Sequence, residues 1–304
     1  MIKNVVITGG TGLVGKALTN LLLSNGYEVF VLTRNQKQAT QKNNYSFWDV
    51  ENEIIDEQII KTADYIVHLA GDGIADKRWT TSRKRDILES RTKSLALIYS
   101  IINESPNQLK VLVSASGVGY YGAITSDKVF TEEDLPATDF LGKTCVAWEK
   151  EVDKFNELGI RTVKLRTGIV LAKEGGALPK MTLPFKYSFG SVLGSGKQYM
   201  PWISLTDLCQ AYLFAIENNQ LFGVYNTAVE DDTNNASFSE NIATILGKKM
   251  FLPKIPAFVL KLMLGEMATI ILNGSRISNS KIKDEGFRFT NEDLRKCLVD
   301  LLEN

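Results

Sequence analysis

The segment VVITGGTGLVG at 5–15 constrains the fold of this chain more than any other stretch, because an apolar strand runs into three evenly spaced glycines and then a helical pattern. Such a turn lets a backbone approach a phosphate and a helix pack closely on its strand. Exposed amides at the positive end of the helix dipole then bind a diphosphate. The pattern predicts a dinucleotide site, and its alternative is a glycine-rich turn without a ligand. The predicted contacts are Gly9, Thr11, Gly12, Leu13, Val14 and Gly15.

Strand-like runs alternate with helical patterns through the first two thirds of the chain. The strands are near-continuous apolar runs, which is typical of a parallel sheet covered on both faces. The predicted fold class is therefore α/β, a doubly wound parallel (Rossmann) sheet with a small, mostly helical C-terminal cap. The predicted strands are 3–8, 28–33, 64–70, 110–116 and 161–171, and the clearest helices are 13–26, 81–102 and 204–219.

The domain organisation follows from a change of character near residue 173. Residues 1–172, with a strand and helix returning around 204–228, are predicted to form the cofactor-binding domain. Residues 173–203 are rich in glycine and proline and read as a long loop, which with 229–304 would form the substrate-binding part. Within it, a substrate wall is expected from Lys180, Lys186, Lys197, Gln198 and Trp202.

The end of the second strand decides which dinucleotide is expected. An acidic residue there would bind both ribose hydroxyls and select NAD, whereas this chain has Thr33-Arg34. Because a guanidinium pairs with a 2′-phosphate, NADP is predicted, with NAD as second choice. A solvated loop arginine is the alternative for Arg34. Asp49 is a candidate for the adenine edge, and Leu69, Ala70 and Gly71 are candidates for contact with a cofactor ribose.

Bulk features narrow the class of protein. Thirty-five basic and 35 acidic residues cancel, so whole-molecule attraction to nucleic acid or membrane is not expected. Three scattered cysteines predict reduced thiols. His68 is the only histidine, so no multi-histidine metal site is expected, and it is read as a packed residue. Neither a signal-like segment nor a membrane span is apparent, which predicts a cytoplasmic protein.

At this point the chain resembles the extended short-chain dehydrogenase/reductase superfamily. The motifs that carry the resemblance are TGGTGLVG (8–15), HLAG (68–71), SASGVGYYG (114–122) and GSGKQYMPWISLTDL (194–208). The stretches 68–95, 165–181 and 265–289 are similar to its "epimerase family" branch of NAD(P)-dependent epimerase/dehydratases, which have a small C-terminal domain of their own. The resemblance spans essentially the whole chain. It implies a nucleotide cofactor and a small-molecule substrate, phosphorylated or nucleotide-linked. By analogy it also implies a homodimer through the helices around 81–102 and 141–158.

The catalytic pair of that superfamily is missing. A tyrosine moves the proton there, and a lysine one helical turn later lowers the pKa of the phenol. Alignment on Trp148-Glu149 places these two slots at Leu141 and Cys145, and Lys143 points away from that face. The substitutes are Ser116, to orient a substrate oxygen, and Tyr120 or Tyr121, to supply a phenol; packing is the alternative for both tyrosines.

Arg91 is a second anomaly, because it falls on the apolar stripe of the helix 81–102. A charge on that face must be paired or must face a polar cavity. It is therefore aimed at the cofactor or an anionic substrate, or it forms a structural ion pair. Two functions remain open: an NADP-dependent oxidoreductase or epimerase with a non-standard acid/base, or a non-catalytic NADP-sensing protein that binds a protein partner.

Overall fold

A seven-stranded parallel sheet forms the centre of the protein, for which a computed structural model describes residues 3–303. Residues 1 and 2 of the predicted cofactor-binding part and residue 304 of the predicted substrate-binding part lie outside the described residues. The strands are β1 (Asn4–Thr8), β2 (Glu28–Thr33), β3 (Tyr45–Phe47), β4 (Tyr65–His68), β5 (Val111–Gly117), β7 (Arg161–Thr167) and β10 (Gly223–Thr227). Their order in the sheet is β10-β7-β5-β4-β1-β2-β3, with every neighbouring pair parallel.

Helices cover both faces of the sheet, which explains the continuous apolar strands. The helices of the two layers are α1 (Leu13–Ser24), α2 (Gln36–Gln41), α3 (Glu57–Lys61), α4 (Thr81–Glu104), α5 (Phe140–Glu157) and α7 (Leu205–Glu217). On one face, Leu18 and Leu22 of α1 and Tyr212 of α7 pack into a core with Val5 and Val113. The other face carries a second core built from α3, α4 and α5.

The predicted strand 161–171 is wrong in one respect, because it breaks at Gly168. A Cβ at this position would lie 2.5 Å from the backbone oxygen of Pro201, so the chain can turn there only without a side chain. The second half leaves the main sheet as β8 (Ile169–Leu171) and pairs with β9 (Trp202–Ser204). The chain then crosses to α7, and the Ser204 side chain caps that helix by accepting from the amide of Asp207 at 2.9 Å.

The region predicted as a long loop also contains a helix, α6 (Leu178–Lys186), which has two prolines, Pro179 in its first turn and Pro184 in its interior. The residues beyond 229 are mostly helical, as predicted. They contain α8 (Asn235–Ile245), α9 (Ala257–Leu264), α10 (Thr269–Leu272), α11 (Ser280–Asp284) and α12 (Leu294–Leu302), and a short ladder joins β11 (Arg276–Ile277) to β6 (Val129–Phe130). The predicted fold class is thereby confirmed. Over residues 3–303, no helix combines the length and the apolarity that crossing a membrane requires.

The register of the sheet brings the carboxyl ends of its central strands to one edge. Thr8 of β1 stands beside His68 of β4, which stands beside Ser114 of β5. Two residues further, Ser116 stands beside Arg166 of β7. In open α/β sheets, ligands bind in the crevice outside this edge. The chemistry of the protein is therefore expected among the side chains that end these strands.

Candidate functional site

The turn between β1 and α1 is packed too tightly for any side chain at two of its glycines. A Cβ on Gly9, which has φ +67°, would lie 2.7 Å from the backbone oxygen of Leu69, and one on Gly15 would lie 2.4 Å from that of Gly9. Gly12 is the N-cap of α1, where no side chain caps the helix and no acidic residue occupies the first turn. The amides that follow, including those of Leu13 and Val14, are left to bind an anion.

A cavity of ≈670 Å³ opens beside this turn, between Thr11 and the segment 33–38 that ends β2 and begins α2. Arg34 lies at its edge with 78% of its side chain exposed, and its Nη1 is 3.8 Å from the carboxylate of Asp72. Lys37 adds a second cation to the lining, and no acidic residue contributes to it. The cavity therefore suits an anionic group.

The end of β4 is held against the first strand by one hydroxyl. Thr8 Oγ1 accepts hydrogen bonds from the amides of Leu69, at 3.1 Å, and Ala70, at 3.0 Å. Asp49 lies after β3, and its carboxylate accepts from the Asn52 side chain at 2.8 Å and from two backbone amides of its own turn. These contacts leave Asp49 at the same edge of the sheet, with its oxygens already engaged.

Arg91 is a buried cation on α4. Its Nη1 donates to the backbone oxygen of Ile87 at 2.7 Å, and its guanidinium lies 4.9 Å from the ring centre of Trp148. A Cβ on Gly71 would be 2.9 Å from the guanidinium carbon. Among residues 3–303 no acidic side chain comes within ion-pairing distance of Arg91, so the structural ion pair considered for it is absent there. An unpaired buried cation costs free energy unless a ligand compensates it.

His68 lies near Arg91 and is buried between α4 and α5. Its Nε2 is 2.8 Å from Ser94 Oγ, and its ring meets that of Trp148 edge to face at 6.2 Å. Burial, and after it the charge of Arg91, lower the pKa of His68 to about 3. Its Nδ1 and the Trp148 Nε1 have no hydrogen-bond partner in the described part of the chain. His68 is therefore a neutral core residue.

Ser116 belongs to a buried network that sequence reasoning missed. Its hydroxyl donates to Glu149 Oε1 at 2.6 Å. Arg166 grips both oxygens of the same carboxylate, through Nε and Nη2, each at 2.8 Å. Because the single proton of Ser116 is committed to Glu149, the outer lone pairs of its oxygen can only accept a hydrogen bond.

The two tyrosines of the 114–122 motif differ sharply. Tyr121 is buried: its hydroxyl donates to Asn226 Oδ1 at 2.7 Å and accepts from Arg166 Nη1 at 3.0 Å. Burial raises the pKa of Tyr121 to about 12. Tyr120 is half-buried, with the Arg166 guanidinium 3.2 Å above its ring. Within residues 3–303 the Tyr120 hydroxyl has no hydrogen-bond partner.

The two slots of the expected catalytic pair face the end of β5. The Cys145 thiol donates to the backbone oxygen of Gly117 at 3.6 Å, and a Cβ on Gly119 would lie 3.2 Å from Cβ of Leu141. Burial raises the pKa of Cys145 to about 12. Arg91 and Cys145 lie close enough for the charge of one to influence the other. A cation therefore lies near the lysine slot, although it comes from α4.

The expected substrate wall is only partly present. Trp202 is fully buried and its Nε1 donates to Asp231 at 2.8 Å, while Gln198 is buried and donates to the backbone oxygens of Leu193 and Ile271. These two residues hold the fold and do not line a cleft. Lys180 is exposed, and its ammonium lies 3.2 Å from Asp76.

The residues missed from the sequence are Glu149, Arg166 and Asn226. One signal was available: RTVKLRT at 161–167 places Lys164 and Arg166 on the same face of a strand whose neighbours are apolar. Charges in such positions require partners. The carboxylate partners of these two charges, Asp153 and Glu149, both come from α5, which local spacing does not reveal.

Comparison with known proteins agrees with this geometry. A family model described as the NAD dependent epimerase/dehydratase family matches residues 5–228, and a domain of unknown function, DUF1731, matches residues 255–301. Epimerase family protein YfhF of Bacillus subtilis is 37% identical over 98% of both chains. The structure of human epimerase family protein SDR39U1 with NADPH superimposes with a TM-score of 0.87 and 29% identity, covering 99% of both chains. A nucleoside-diphosphate sugar epimerase from Corynebacterium glutamicum gives a TM-score of 0.81 and 29% identity, covering 99% of this chain and 58% of that one.

The burial of His68 leads to a prediction of pH dependence. With the pKa held at about 3, the neutral imidazole should show no titration of its ring-proton NMR signals between about pH 8 and about pH 5. In the unfolded chain the same group binds its proton near pH 6.5. The contribution of His68 to the free energy of unfolding should therefore be fully present above that pH. Below it, the free energy of unfolding should fall by about 1.4 kcal/mol per pH unit.

As the only histidine, His68 has an unambiguous signal. The variant His68→Gln should lose this part of the pH dependence in urea denaturation. An imidazole that titrates in the native protein with a midpoint near pH 6 would contradict its burial.

Proposed function

Because the chain belongs to the NAD dependent epimerase/dehydratase family, we propose that it is an NADP-binding oxidoreductase or epimerase that acts on a small hydroxyl or carbonyl substrate. A phosphorylated or nucleotide-linked substrate fits the family, since one similar structure is described as a nucleoside-diphosphate sugar epimerase. The observation that carries the proposal is the uncapped amide turn at Gly9–Gly15 beside an acid-free cavity.

The residues of the cavity favour NADP over NAD. Arg34 and Lys37 present two cations where an NAD-specific site would place a carboxylate. The similar human protein was solved with NADPH. Thr11 and the amides after Gly12 would hold the diphosphate, and Leu69 and Ala70, fixed by Thr8, would border the ribose. Asp49 remains a candidate for the adenine edge.

Arg91 is proposed to hold the nicotinamide end of the cofactor. Its guanidinium lies beside Gly71 and near Cys145, which occupies the slot of the family lysine. That lysine, by resemblance, binds the ribose next to the nicotinamide. A guanidinium at nearly the same place offers donors to the same hydroxyls. The cation is thus supplied from α4 instead of α5.

For the chemistry, the bound cofactor would supply or accept a hydride. Ser116 is proposed to position the substrate by accepting a hydrogen bond from its hydroxyl, since Glu149 fixes the direction of its own proton. Of the two phenols, Tyr120 is the proposed proton-transfer group because its hydroxyl is free among the described residues, while that of Tyr121 is engaged by Asn226 and Arg166.

One observation favours the second function, a non-catalytic NADP-sensing protein. Neither Leu141 nor Cys145 can transfer a proton near neutral pH, since one is apolar and the pKa of the other is raised to about 12. Under this alternative the cofactor site would be intact and turnover absent. We also propose that residues 1–172 with 204–228 form the cofactor part and that the rest of the chain forms the substrate part. The protein is further proposed to be cytoplasmic and to form a homodimer.

The first prediction concerns cofactor choice. The protein should quench its tryptophan fluorescence with NADPH at concentrations about tenfold to a hundredfold lower than with NADH, because Arg34 would make a charge-assisted contact with the 2′-phosphate. Arg34→Asp should abolish or invert this preference. Arg85→Asp, a matched change on the exposed face of α4, should leave it unchanged. Equal affinities in the unaltered protein would refute the assignment of NADP.

A second prediction separates the two ends of the cofactor. Arg91→Met should weaken NADPH binding by about tenfold to a hundredfold, the loss expected for hydrogen bonds to a charged group. It should leave the affinity for adenosine 2′,5′-bisphosphate unchanged, because that fragment lacks the nicotinamide and its ribose. Calorimetry on both ligands measures this, with thermal unfolding as a check on folding. Equal losses for the two ligands would place Arg91 elsewhere.

The third prediction concerns catalysis. Tyr120→Phe should lower NADPH-dependent turnover of a carbonyl substrate by about a hundredfold or more, the usual effect of losing a positioned acid/base, while NADPH affinity stays the same. Tyr121→Phe should instead reduce stability, because it leaves Asn226 and Arg166 short of a partner. Full activity of Tyr120→Phe would remove this phenol from the mechanism. NADPH binding without turnover of any carbonyl substrate would favour the sensing function.

A further inference from the structure

Two neighbouring segments of the C-terminal half carry an unusual set of protruding apolar side chains. Each exposes between 65% and 78% of its surface. A side chain exposed to this extent stands out from the protein and does not line a cleft. The six residues are Tyr187, Phe189, Phe251, Phe258, Leu262 and Met263. Contiguous apolar exposure of this kind marks an interaction site.

The two segments lie side by side in the structure. The Ile255 amide donates to the backbone oxygen of Val192 at 2.9 Å, and the Gly194 amide donates to that of Ile255 at 2.8 Å. Ser191 Oγ donates to the backbone oxygen of Pro253 at 2.6 Å. These bonds join the loop after α6 to the approach to α9. The two segments that carry the six apolar residues are therefore adjacent in the fold.

The same surface is strongly basic. Residues 178–198 and 248–264 together contain seven lysines and no aspartate or glutamate, in a chain whose charges otherwise cancel. All seven are exposed, and among residues 3–303 only Lys180 pairs with a carboxylate, that of Asp76. The lysines are Lys180, Lys186, Lys197, Lys248, Lys249, Lys254 and Lys261. We name these two segments the apolar–basic surface.

We propose that the apolar–basic surface docks the protein on an anionic phospholipid bilayer. Protruding phenylalanine and leucine side chains enter the boundary between headgroups and acyl chains, while lysines beside them bind the anionic headgroups. Along α9, Phe258 and Leu262 stand one turn apart on one side of the helix with Lys261 between them, so both contributions come from the same face.

A second copy of the chain fits this surface poorly. A two-fold interface brings the same patch of both subunits together, so lysines would face lysines with no acidic residue of either segment to pair with them. A bilayer has no such limit, because its negative charges are supplied by the lipid. The docking is independent of the cofactor site, which lies at the edge of the central sheet.

The test is co-sedimentation of the intact protein with vesicles. It should bind mixed phosphatidylglycerol–phosphatidylcholine vesicles at least tenfold more strongly than pure phosphatidylcholine vesicles. Raising the salt from 0.1 M to 1 M shortens the Debye length from about 10 Å to about 3 Å and should remove most of the difference. Two double variants should each lower vesicle binding at least tenfold. One combines Phe258→Ser with Leu262→Ser, and the other combines Lys254→Glu with Lys261→Glu.

The matched control is Lys143→Glu with Lys150→Glu, which makes the same charge change on the exposed side of α5. It should bind vesicles as the unaltered protein does. NADPH binding by all variants checks that they fold and keeps this test separate from that of the proposed function. Equal binding to both kinds of vesicle, no binding to either, or an equal loss in the α5 control would overturn the proposal. So would variants that retain vesicle binding and instead dissociate an oligomer in sedimentation velocity.

Discussion

The close packing of the β1–α1 turn against the end of β4 determines where every other group of the candidate site lies. Gly9 and Gly15 leave no room for a Cβ, so the turn touches the backbone of the neighbouring strand directly. Thr8 then joins the ends of β1 and β4 through its hydroxyl. Because the strands are parallel and in register, this contact also fixes the position of Ser116 and Arg166 relative to the ends of β1 and β4.

Buried charge is used at this edge in two different ways. Glu149 and Arg166 neutralise each other through two hydrogen bonds, and such a pair contributes little net stability because both ions lose their hydration. Its effect is geometric, since the fork fixes the direction of the Ser116 proton and ties α5 to β7. Arg91 has no such partner among the described residues. A ligand that accepts hydrogen bonds from the Arg91 guanidinium would therefore offset the free energy cost of burying this charge.

Much of the fold could be predicted from the sequence because apolar runs and glycine spacing are local signals. The predicted strand 161–171 is too long, because the backbone breaks at Gly168 where it meets Pro201. That residue lies more than thirty positions away in the sequence, so local signals do not reveal the contact. The partners of Tyr121 show the same limit: Asn226 lies 105 residues further along the chain. Net charge has a related limit, because a sum of zero says nothing about how charge is distributed, and the segments 178–198 and 248–264 contain lysines but no aspartate or glutamate.

Leu141 and Cys145 stand where the usual catalytic pair is expected, and burial keeps the neighbouring titratable groups from replacing that pair. A general acid or base works best when its pKa lies near the working pH. Around the ends of β4 and β5, burial moves the pKa of His68 to about 3 and those of Tyr121 and Cys145 to about 12, which removes all three from that range. Binding a dinucleotide makes no such demand, since backbone amides and guanidinium groups need not titrate. The two requirements are thus physically separable, so a site of this kind can bind a dinucleotide whether or not it transfers a proton.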